Sequence, residues 1–589
     1  MRWRPDWTQL LLSSLVVWPH GAATSACGCT LRAIDAAFSP DDGATAVFAI
    51  SLGANSTFGQ ASDVAYPQNA TYLPASCAVL VNVTSSPTSS YTFGVFLPQD
   101  WNQRTLTVGN GGFMGGINWL AMGDGLKYGF AAMSTDTGHN STGIDMAWAL
   151  NQPEAKADWA YRALHGSVVL TKKLVAAYYR SDNRYNYYSG CSTGGRQGIK
   201  SAQDFPDDFD GVLAGSPAWW STHQQLWQLK VGAVNLPETS PAYIPPSQFS
   251  WLSDAVLAQC DGADGLVDNI IQDPDMCRLQ IGKLICNPHS NRNASECLSL
   301  DQAETLRQLY SPLVEADAAA NNITALYPNF GIGSEMQMPA SFGANNTPSR
   351  YGTGYAKYYI YDDPAWDWEV SFNYSAWVLA DRLNPGNVNA VNFDMTPFQA
   401  RGGKLLTYHG WADGLIPSGA SPLLYDKVQS AMASSSASSV TNSSTGGGGE
   451  VVDMDSWYCL FMVPGMQHCG GSVYDAPWYF GGSGQPASIE GTAAELGKLP
   501  VAGVDDTHHD ALLALMAWVE QDTPVEYLVA TKWANDTVAG GVRHWPPWCF
   551  LATSTAFSLL VCPFGYFKTD SNRREGTTAP GGAAAVVIV

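Results

Sequence analysis

Tyr187-Tyr188-Ser189-Gly190-Cys191-Ser192-Thr193-Gly194-Gly195-Arg196-Gln197-Gly198 contains the only Gly-x-Ser-x-Gly of the chain, centred on Ser192. The residues before it, Asn186 to Ser189, read as a short strand, and those after Gly195 as a helix running toward Asp204. A strand, a sharp turn and a helix make a nucleophile elbow. The turn lifts a serine oxygen above a sheet, and small flanking residues let the backbone close up around it. The alternative is a chance match of small residues, and the rest of the chain has to decide between the two.

At 589 residues the chain is too long for one simple core, so a large domain with an insertion, or several domains, is expected. Hydrophobic residues make up 46% of it, with 21 Trp and 26 Tyr, which excludes a disordered or fibrous class. The formal charge of −22, from 30 basic against 52 acidic residues, argues against nucleic acid and anionic membranes as partners. Nothing in the sequence sets an oligomeric state.

Residues 1–26 have the layout of a secretory signal: Arg2 and Arg4, an apolar run from Leu10 to Trp18, then small residues to Ala26. The run is too short to cross a bilayer. Sequons at Asn55, Asn69, Asn82, Asn140, Asn293, Asn322, Asn345, Asn373, Asn442 and Asn535 fit a secreted, extracellular glycoprotein. The 12 cysteines then read as a disulfide set rather than as metal ligands.

From Arg104 the chain alternates strands and helices. Arg104 to Val108 opens into Gly109-Asn110-Gly111-Gly112-Phe113-Met114-Gly115-Gly116, and Phe130 to Ser134 ends at Thr135-Asp136-Thr137-Gly138-His139. A long helix is expected from Glu154 to Tyr179, and a further strand from Asp210 to Ala214. The glycine-rich loop lacks the Lys-Ser/Thr ending of a phosphate loop. In a hydrolase sheet it supplies one oxyanion-hole N–H while the residue after the nucleophile, Thr193, supplies the other; an ordinary turn is the alternative. From Ala218 to about Pro385 the rhythm is irregular and rich in Trp, Pro and Asn, as in an inserted lid; Trp219 and Trp220 are candidate pocket walls or core residues. Strands resume at Gly403 to Tyr408 and Cys459 to Val463, and a helix at Asp510 to Glu520. The Ser/Gly tract from Ser430 to Gly449 reads as an exposed flexible loop.

A serine needs a base, and the base needs an orienting acid. Asp413 follows the strand ending at Tyr408, and His468 follows the strand ending at Val463, in the chain order serine, acid, histidine. His409 is the rival base, although it precedes Asp413. Cys191 adjoins Ser192 and Cys469 adjoins His468, so a bridge between them would clamp nucleophile and base together.

Gly190-Cys191-Ser192-Thr193-Gly194-Gly195-Arg196-Gln197-Gly198, Tyr408-His409-Gly410-Trp411-Ala412-Asp413, Val463-Pro464-Gly465-Met466-Gln467-His468-Cys469 and Ser134 to His139 together resemble the tannase/feruloyl esterase family. The resemblance implies a secreted serine esterase of class α/β, with an α/β-hydrolase core and a large lid. The expected division is signal 1–26, core 27–217, lid 218–385, core 386–570 and tail 571–589. Implied roles are a triad of Ser192, Asp413 and His468 with oxyanion donors at Thr193 and Gly112. The implied substrate is a small-molecule or polysaccharide-linked phenolic ester, hydroxycinnamate or alternatively gallate; a non-catalytic binding protein on the same scaffold is the remote alternative. The absence of a dibasic pair between Ala218 and Pro385 favours hydroxycinnamate.

Within the lid, Cys260 to Ile270 places three carboxylates in eight residues, which suits a hard cation as well as it suits an acidic surface loop. The family pattern implies a structural calcium held by side chains of Asp261, Asp264 and Asp268 and by carbonyls of Leu266 and Ile270. Proximity and family pattern also imply the bridges Cys260–Cys277, Cys286–Cys297 and Cys549–Cys562. Cys77 is left to pair with Cys27 or Cys29, and Cys459 to stand as a free core thiol.

Overall fold

The computed structural model describes residues 28–287, 293–317, 322–439, 453–474, 476–488, 507–532, 536 and 558–561. The expected signal, Cys27, the Ser/Gly tract from 440 to 449, Cys549 and Cys562 with their implied bridge, and the tail lie outside these residues.

Nine strands form one sheet: β1 (Ala44–Leu52), β2 (Ser76–Ser86), β3 (Ser89–Pro98), β4 (Arg104–Val108), β5 (Ala131–Thr135), β6 (Tyr185–Cys191), β7 (Gly211–Gly215), β8 (Lys404–Gly410) and β9 (Tyr458–Val463). Their spatial order is β1-β2-β3-β5-β4-β6-β7-β8-β9. The first three are antiparallel neighbours, and from β5 onward every pairing is parallel. The parallel strands therefore end along one edge of the sheet, where open α/β folds assemble their sites.

Residue alternation divides this sheet between two cores. Val79, Val81, Val212, Ala214 and Leu405 point to one face, and Ala78, Leu80, Leu213 and Leu406 to the other. Both faces are covered, which explains why the parallel strands read as continuous apolar runs. Helices α1 (Trp119–Lys127), α2 (Ala163–Tyr179), α3 (Thr193–Asp204), α4 (Ser221–Val234), α5 (Phe249–Cys260), α6 (Ala420–Ser439) and α7 (Ala511–Gln521) follow in chain order. The first face is packed by α2, α3 and α6 through Leu164, Val168, Ile199, Leu424 and Val428. The second is packed by α1 and α7 through Trp119, Met122, Leu515 and Trp518. The result is the α/β-hydrolase architecture.

Two expectations are corrected here. The helix expected from Glu154 is interrupted by a π turn at Asp158–Arg162 before α2 begins. Asp158 lies fully buried in that turn and accepts hydrogen bonds from Ser85 and Ser89 of the β2–β3 hairpin at 2.8 and 2.5 Å, and from Arg162 Nε at 2.6 Å. Single widened turns commonly accommodate such a demand. The Ser/Gly tract is not a loop throughout, because α6 continues to Ser439. Leu424, Tyr425, Val428 and Met432 hold that helix to the core.

Between β7 and β8 the chain leaves the sheet to build the lid. Trp227, Phe249, Leu252, Leu306 and Phe330 form a core of its own. The return segment already joins the sheet core through Ala390, Met395 and Phe398, before β8 starts.

A buried-edge ion pair ties the far end of the chain to the sheet. Glu520, at the end of α7, accepts from Arg104 Nε at 2.6 Å, from Arg104 Nη2 and from the Tyr187 hydroxyl at 2.7 Å. Burial raises the Glu520 pKa, but the bonds from Arg104 and Tyr187 outweigh it and leave the carboxyl below the ordinary range. Its contribution to stability is thus present above the unfolded value of about 4.3 and is lost as pH falls through the folded one. Glu520→Gln is expected to lower stability by about 2 kcal/mol near neutral pH. Thermal unfolding at several pH values should show the gap between variant and wild type closing as pH falls through the folded value.

Candidate active site

Ser192 sits between β6 and α3 with φ +65° and ψ −122°, a conformation few side chains adopt. Such strain costs on the order of 1–3 kcal/mol and persists only when the surroundings enforce it. Three backbone bonds do so here: Ser192 N–H donates to the Gly215 carbonyl at 2.9 Å, and the Ser192 carbonyl accepts from Arg196 and Ala218, each at 3.0 Å. The glycines matter by their missing side chains. A Cβ on Gly190 would come within 2.6 Å of the Tyr188 hydroxyl, and one on Gly195 within 2.4 Å of the Gly215 carbonyl oxygen.

The loops after β8 and β9 bring Asp413 and His468 to the same edge. His468 Nδ1 lies 2.7 Å from Asp413 Oδ2. Asp413 is fully buried, and its Oδ1 accepts from the backbone N–H groups of Leu415 and Ile416 at 2.8 and 2.9 Å. Burial alone would raise this carboxyl, but the two facing imidazoles, His468 and His409, hold it well below the usual carboxylate range. It stays an anion. His409 is also fully buried; its Nε2 is 3.1 Å from Asp413 Oδ2 and its Nδ1 2.8 Å from the Ser421 hydroxyl. It braces the acid from behind and, unlike His468, does not line the pocket that holds Ser192.

That pocket has some 340 Å³ of atom-free space, its mouth included, and is lined by Ser192, Thr193, Gly112 and His468 with Phe113, Ala218, Leu415, Ile416, Tyr351 and three glutamines. Thr193 is the first residue of α3, so its N–H has no partner within the helix. Gly112, at φ +48°, donates its N–H to no acceptor among the described residues, whereas Gly111 N–H is taken by the Tyr66 hydroxyl at 2.9 Å. Two residues whose N–H groups have no acceptor among the described residues therefore line the pocket with Ser192. The loop carrying Gly112 is held from several sides: Asp63 accepts from Ile117 N–H at 2.7 Å, Asn110 N–H is bound by Gln197 at 3.0 Å, and His139 Nε2 meets the Phe113 carbonyl at 3.0 Å. Burial lowers the His139 pKa to about 4, so the ring is neutral and donates from Nε2.

Cys191 and Cys469 are bridged, with Cα atoms 5.9 Å apart. The structure also pairs Cys29 with Cys77, Cys260 with Cys277 and Cys286 with Cys297, and leaves Cys459 as a buried free thiol. Trp219 and Trp220 do not wall the pocket. Trp219 is buried with Nε1 bonded to the Ala420 carbonyl at 2.9 Å, and Trp220 stacks on His223 at 3.5 Å.

Sequence reasoning misses Gln337. From the lid, its Oε1 accepts from Gly414 N–H at 2.9 Å and His468 N–H at 3.1 Å, joining the acid loop to the histidine loop. No motif marks it, since a lone glutamine in an irregular segment carries no pattern.

In the lid's acidic loop, Asp261 Oδ1 accepts from the N–H groups of Asp268, Asn269 and Ile270 at 3.1, 2.9 and 3.3 Å. Asp264 caps Leu266 N–H at 2.9 Å and Asp268 caps Ile270 N–H at 3.1 Å. The donors are chemically right for calcium: three carboxylates, each with a second oxygen unengaged by the described residues, and the Leu266 and Ile270 carbonyls. As placed, the carboxylates turn to the loop's own amides, and among the described residues no three acidic, histidine or cysteine side chains converge on one ion.

A family model described as tannase and feruloyl esterase matches residues 77–558. A probable feruloyl esterase B-2 of Aspergillus terreus is 35% identical over 459 residues, covering 78% of this chain and 79% of its own. A probable feruloyl esterase B-1 of Aspergillus flavus is 34% identical, covering 78% and 80%. Among solved structures, feruloyl esterase B from Aspergillus oryzae superposes with a TM-score of 0.75 at 27% identity, covering 91% of this chain and 95% of that one. Tannin acyl hydrolase from Aspergillus niger, with a TM-score of 0.66 at 21% identity and coverage of 91% and 92%, shares the fold. With the family model spanning most of the chain and relatives matched over more than three quarters of their length, this chain belongs to the tannase and feruloyl esterase family of carboxylic ester hydrolases.

Proposed function

We propose that the chain hydrolyses hydroxycinnamate esters, such as feruloyl esters of plant cell-wall polysaccharides, through a serine acyl-enzyme. The observation that carries this reading is one pocket shared by a serine on a strained elbow, a histidine paired with a buried carboxylate, and two unpartnered N–H groups. Ser192 Oγ attacks the ester carbonyl carbon while His468 Nε2 takes its proton. Asp413 holds the imidazole and stabilises its positive charge. The oxyanion is bound by Thr193 and Gly112 N–H. As the C–O bond breaks, the imidazolium returns its proton to the leaving alkoxide. Water, deprotonated by His468, then attacks the acyl carbon and releases the acid and Ser192.

The names of the relatives support hydroxycinnamates over gallates. Disulfides among the described residues fit an oxidising, extracellular location, and no helix among those residues is long and apolar enough to cross a membrane. Asn55, Asn69, Asn293, Asn345 and Asn373 are exposed and open to glycosylation. A structural calcium in the Asp261 to Ile270 loop is also proposed, supported by the donor chemistry; ligation would turn the carboxylates from the loop's amides to the ion.

Ser192→Ala is expected to lower kcat on methyl ferulate by about 10⁴-fold or more. Retention of wild-type turnover would remove the triad assignment, and faster cleavage of methyl gallate than of methyl ferulate would move the substrate class to gallates. Gln337→Leu is expected to lower kcat about 10- to 100-fold, since it frees two loops whose registration sets the His468 position. Steady-state kinetics checks this: an unchanged kcat means the loops hold themselves. For calcium, dialysed protein is expected to retain the metal on elemental analysis and to melt at lower temperature in chelator; no metal and no shift would leave the loop held by its own hydrogen bonds.

A further inference from the structure

Tyr351 belongs to the lid, yet it lines the pocket that holds Ser192, Thr193, Gly112 and His468. Its hydroxyl lies against the turn that carries Gly112. A Cβ built on Gly112 would stand 3.1 Å from that oxygen, and one on Gly143 3.6 Å from it. The hydroxyl makes no hydrogen bond among the described residues. Burial raises its pKa above the ordinary tyrosine value, so at neutral pH the phenol keeps its proton and remains a donor. With the N–H groups of Thr193 and Gly112, it is a third donor at this pocket whose acceptor is not among the described residues.

The phenol is held in place from several sides. Ser349 caps the short helix Arg350–Tyr355, its Oγ accepting from Tyr351 N–H at 3.3 Å. Gly352 lets that helix press on α4, since a Cβ there would fall 2.5 Å from Leu229 Cβ and 2.6 Å from the Leu229 nitrogen. The Tyr351 ring faces Phe113, the residue after Gly112, with centroids 6.3 Å apart. A carbonyl oxygen offers two lone pairs, whereas the oxyanion of a tetrahedral intermediate offers three and carries the charge. A third donor beside two N–H groups therefore gains most of its bonding as that charge develops.

We propose that the Tyr351 hydroxyl is a third oxyanion donor, a catalytic residue contributed by the lid. This rests on the esterase reading above and adds a residue to its chemistry. The phenol donates a hydrogen bond and retains its proton, while the proton of Ser192 passes to His468. A phenol that only touched bound substrate would matter equally before and at the transition state; one that only packed would matter to neither.

The test is Tyr351→Phe, which keeps the ring and its place against Phe113. On the better cleaved of methyl ferulate and methyl gallate, kcat is expected to fall about 10- to 100-fold with KM within about 2-fold of wild type. Inhibition supplies a readout that packing alone would not move. Phenylethyl trifluoromethyl ketone takes Ser192 Oγ onto its carbonyl carbon, with the serine proton going to His468, and so places an oxyanion in the site. Cinnamyl alcohol has a similar aryl chain and no carbonyl. The substitution is expected to weaken the ketone by about the same factor as kcat and to leave inhibition by cinnamyl alcohol unchanged. An unchanged kcat, a loss confined to KM, or equal weakening of both inhibitors overturns this proposal and leaves the esterase reading standing. A wild type that cleaves neither ester overturns the esterase reading and this inference with it. Tyr351→Met, which also lacks the hydroxyl, takes the place of Tyr351→Phe in both comparisons if the latter does not fold.

Discussion

The Cys191–Cys469 bridge is the constraint on which the site depends. It joins the residue before Ser192 to the residue after His468 across 278 residues of chain. Closing a loop of that length removes on the order of 5 kcal/mol of conformational freedom from the unfolded chain in the loop-entropy description. Its local effect is as important. Ser192 and His468 lie on loops after β6 and β9, and in the sheet those strands are separated by β7 and β8. Without a covalent link, the distance between the two loops would be set only by accumulated packing across two intervening strands.

Around that link the site is braced by polar groups. Asp413 accepts two backbone N–H bonds on one oxygen and faces two imidazoles with the other. Each contact favours the charged form, and together they offset the cost of burying an anion with no exposure to water. The Gly112 loop is treated in the same way, through Asp63, Tyr66, Gln197 and His139. Among the described residues, unpaired groups of the pocket-lining residues include the N–H of Thr193 and of Gly112 and the amide oxygens of Gln224, Gln225 and Gln228.

How much of this could be read from sequence follows from how each feature is encoded. The strands at Arg104, Asn186, Asp210, Gly403 and Cys459 were legible because burial on both faces demands unbroken apolar runs. The elbow, the acid and the histidine were legible because each follows such a strand and each has neighbours of unusual composition, notably the two cysteines. The π turn at Asp158 was not, since it answers to Ser85 and Ser89, more than sixty residues away. The continuation of α6 through Ser430 to Ser439 was hidden by polar composition, although Leu424, Val428 and Met432 already carried the helical spacing. Trp219 and Trp220 invited a substrate role by being aromatic, yet packing claimed them both. Gln337 and the α4 glutamines carry no motif, and their place is fixed only when an irregular lid folds back over the sheet edge.

The lid enters and leaves the core between adjacent strands β7 and β8, so at first sight it is an exchangeable part, with catalysis resident in the core and selectivity in the insert. Gln337 qualifies that modularity. A single amide oxygen belonging to the insert is shared by the backbones of both core loops that carry Asp413 and His468. Divergence of the lid is thereby constrained at one point: new pocket walls can be recruited, but an acceptor at that place has to be inherited with them, and a chimaera that grafts a foreign lid onto this core carries over its specificity intact only if it supplies the same oxygen.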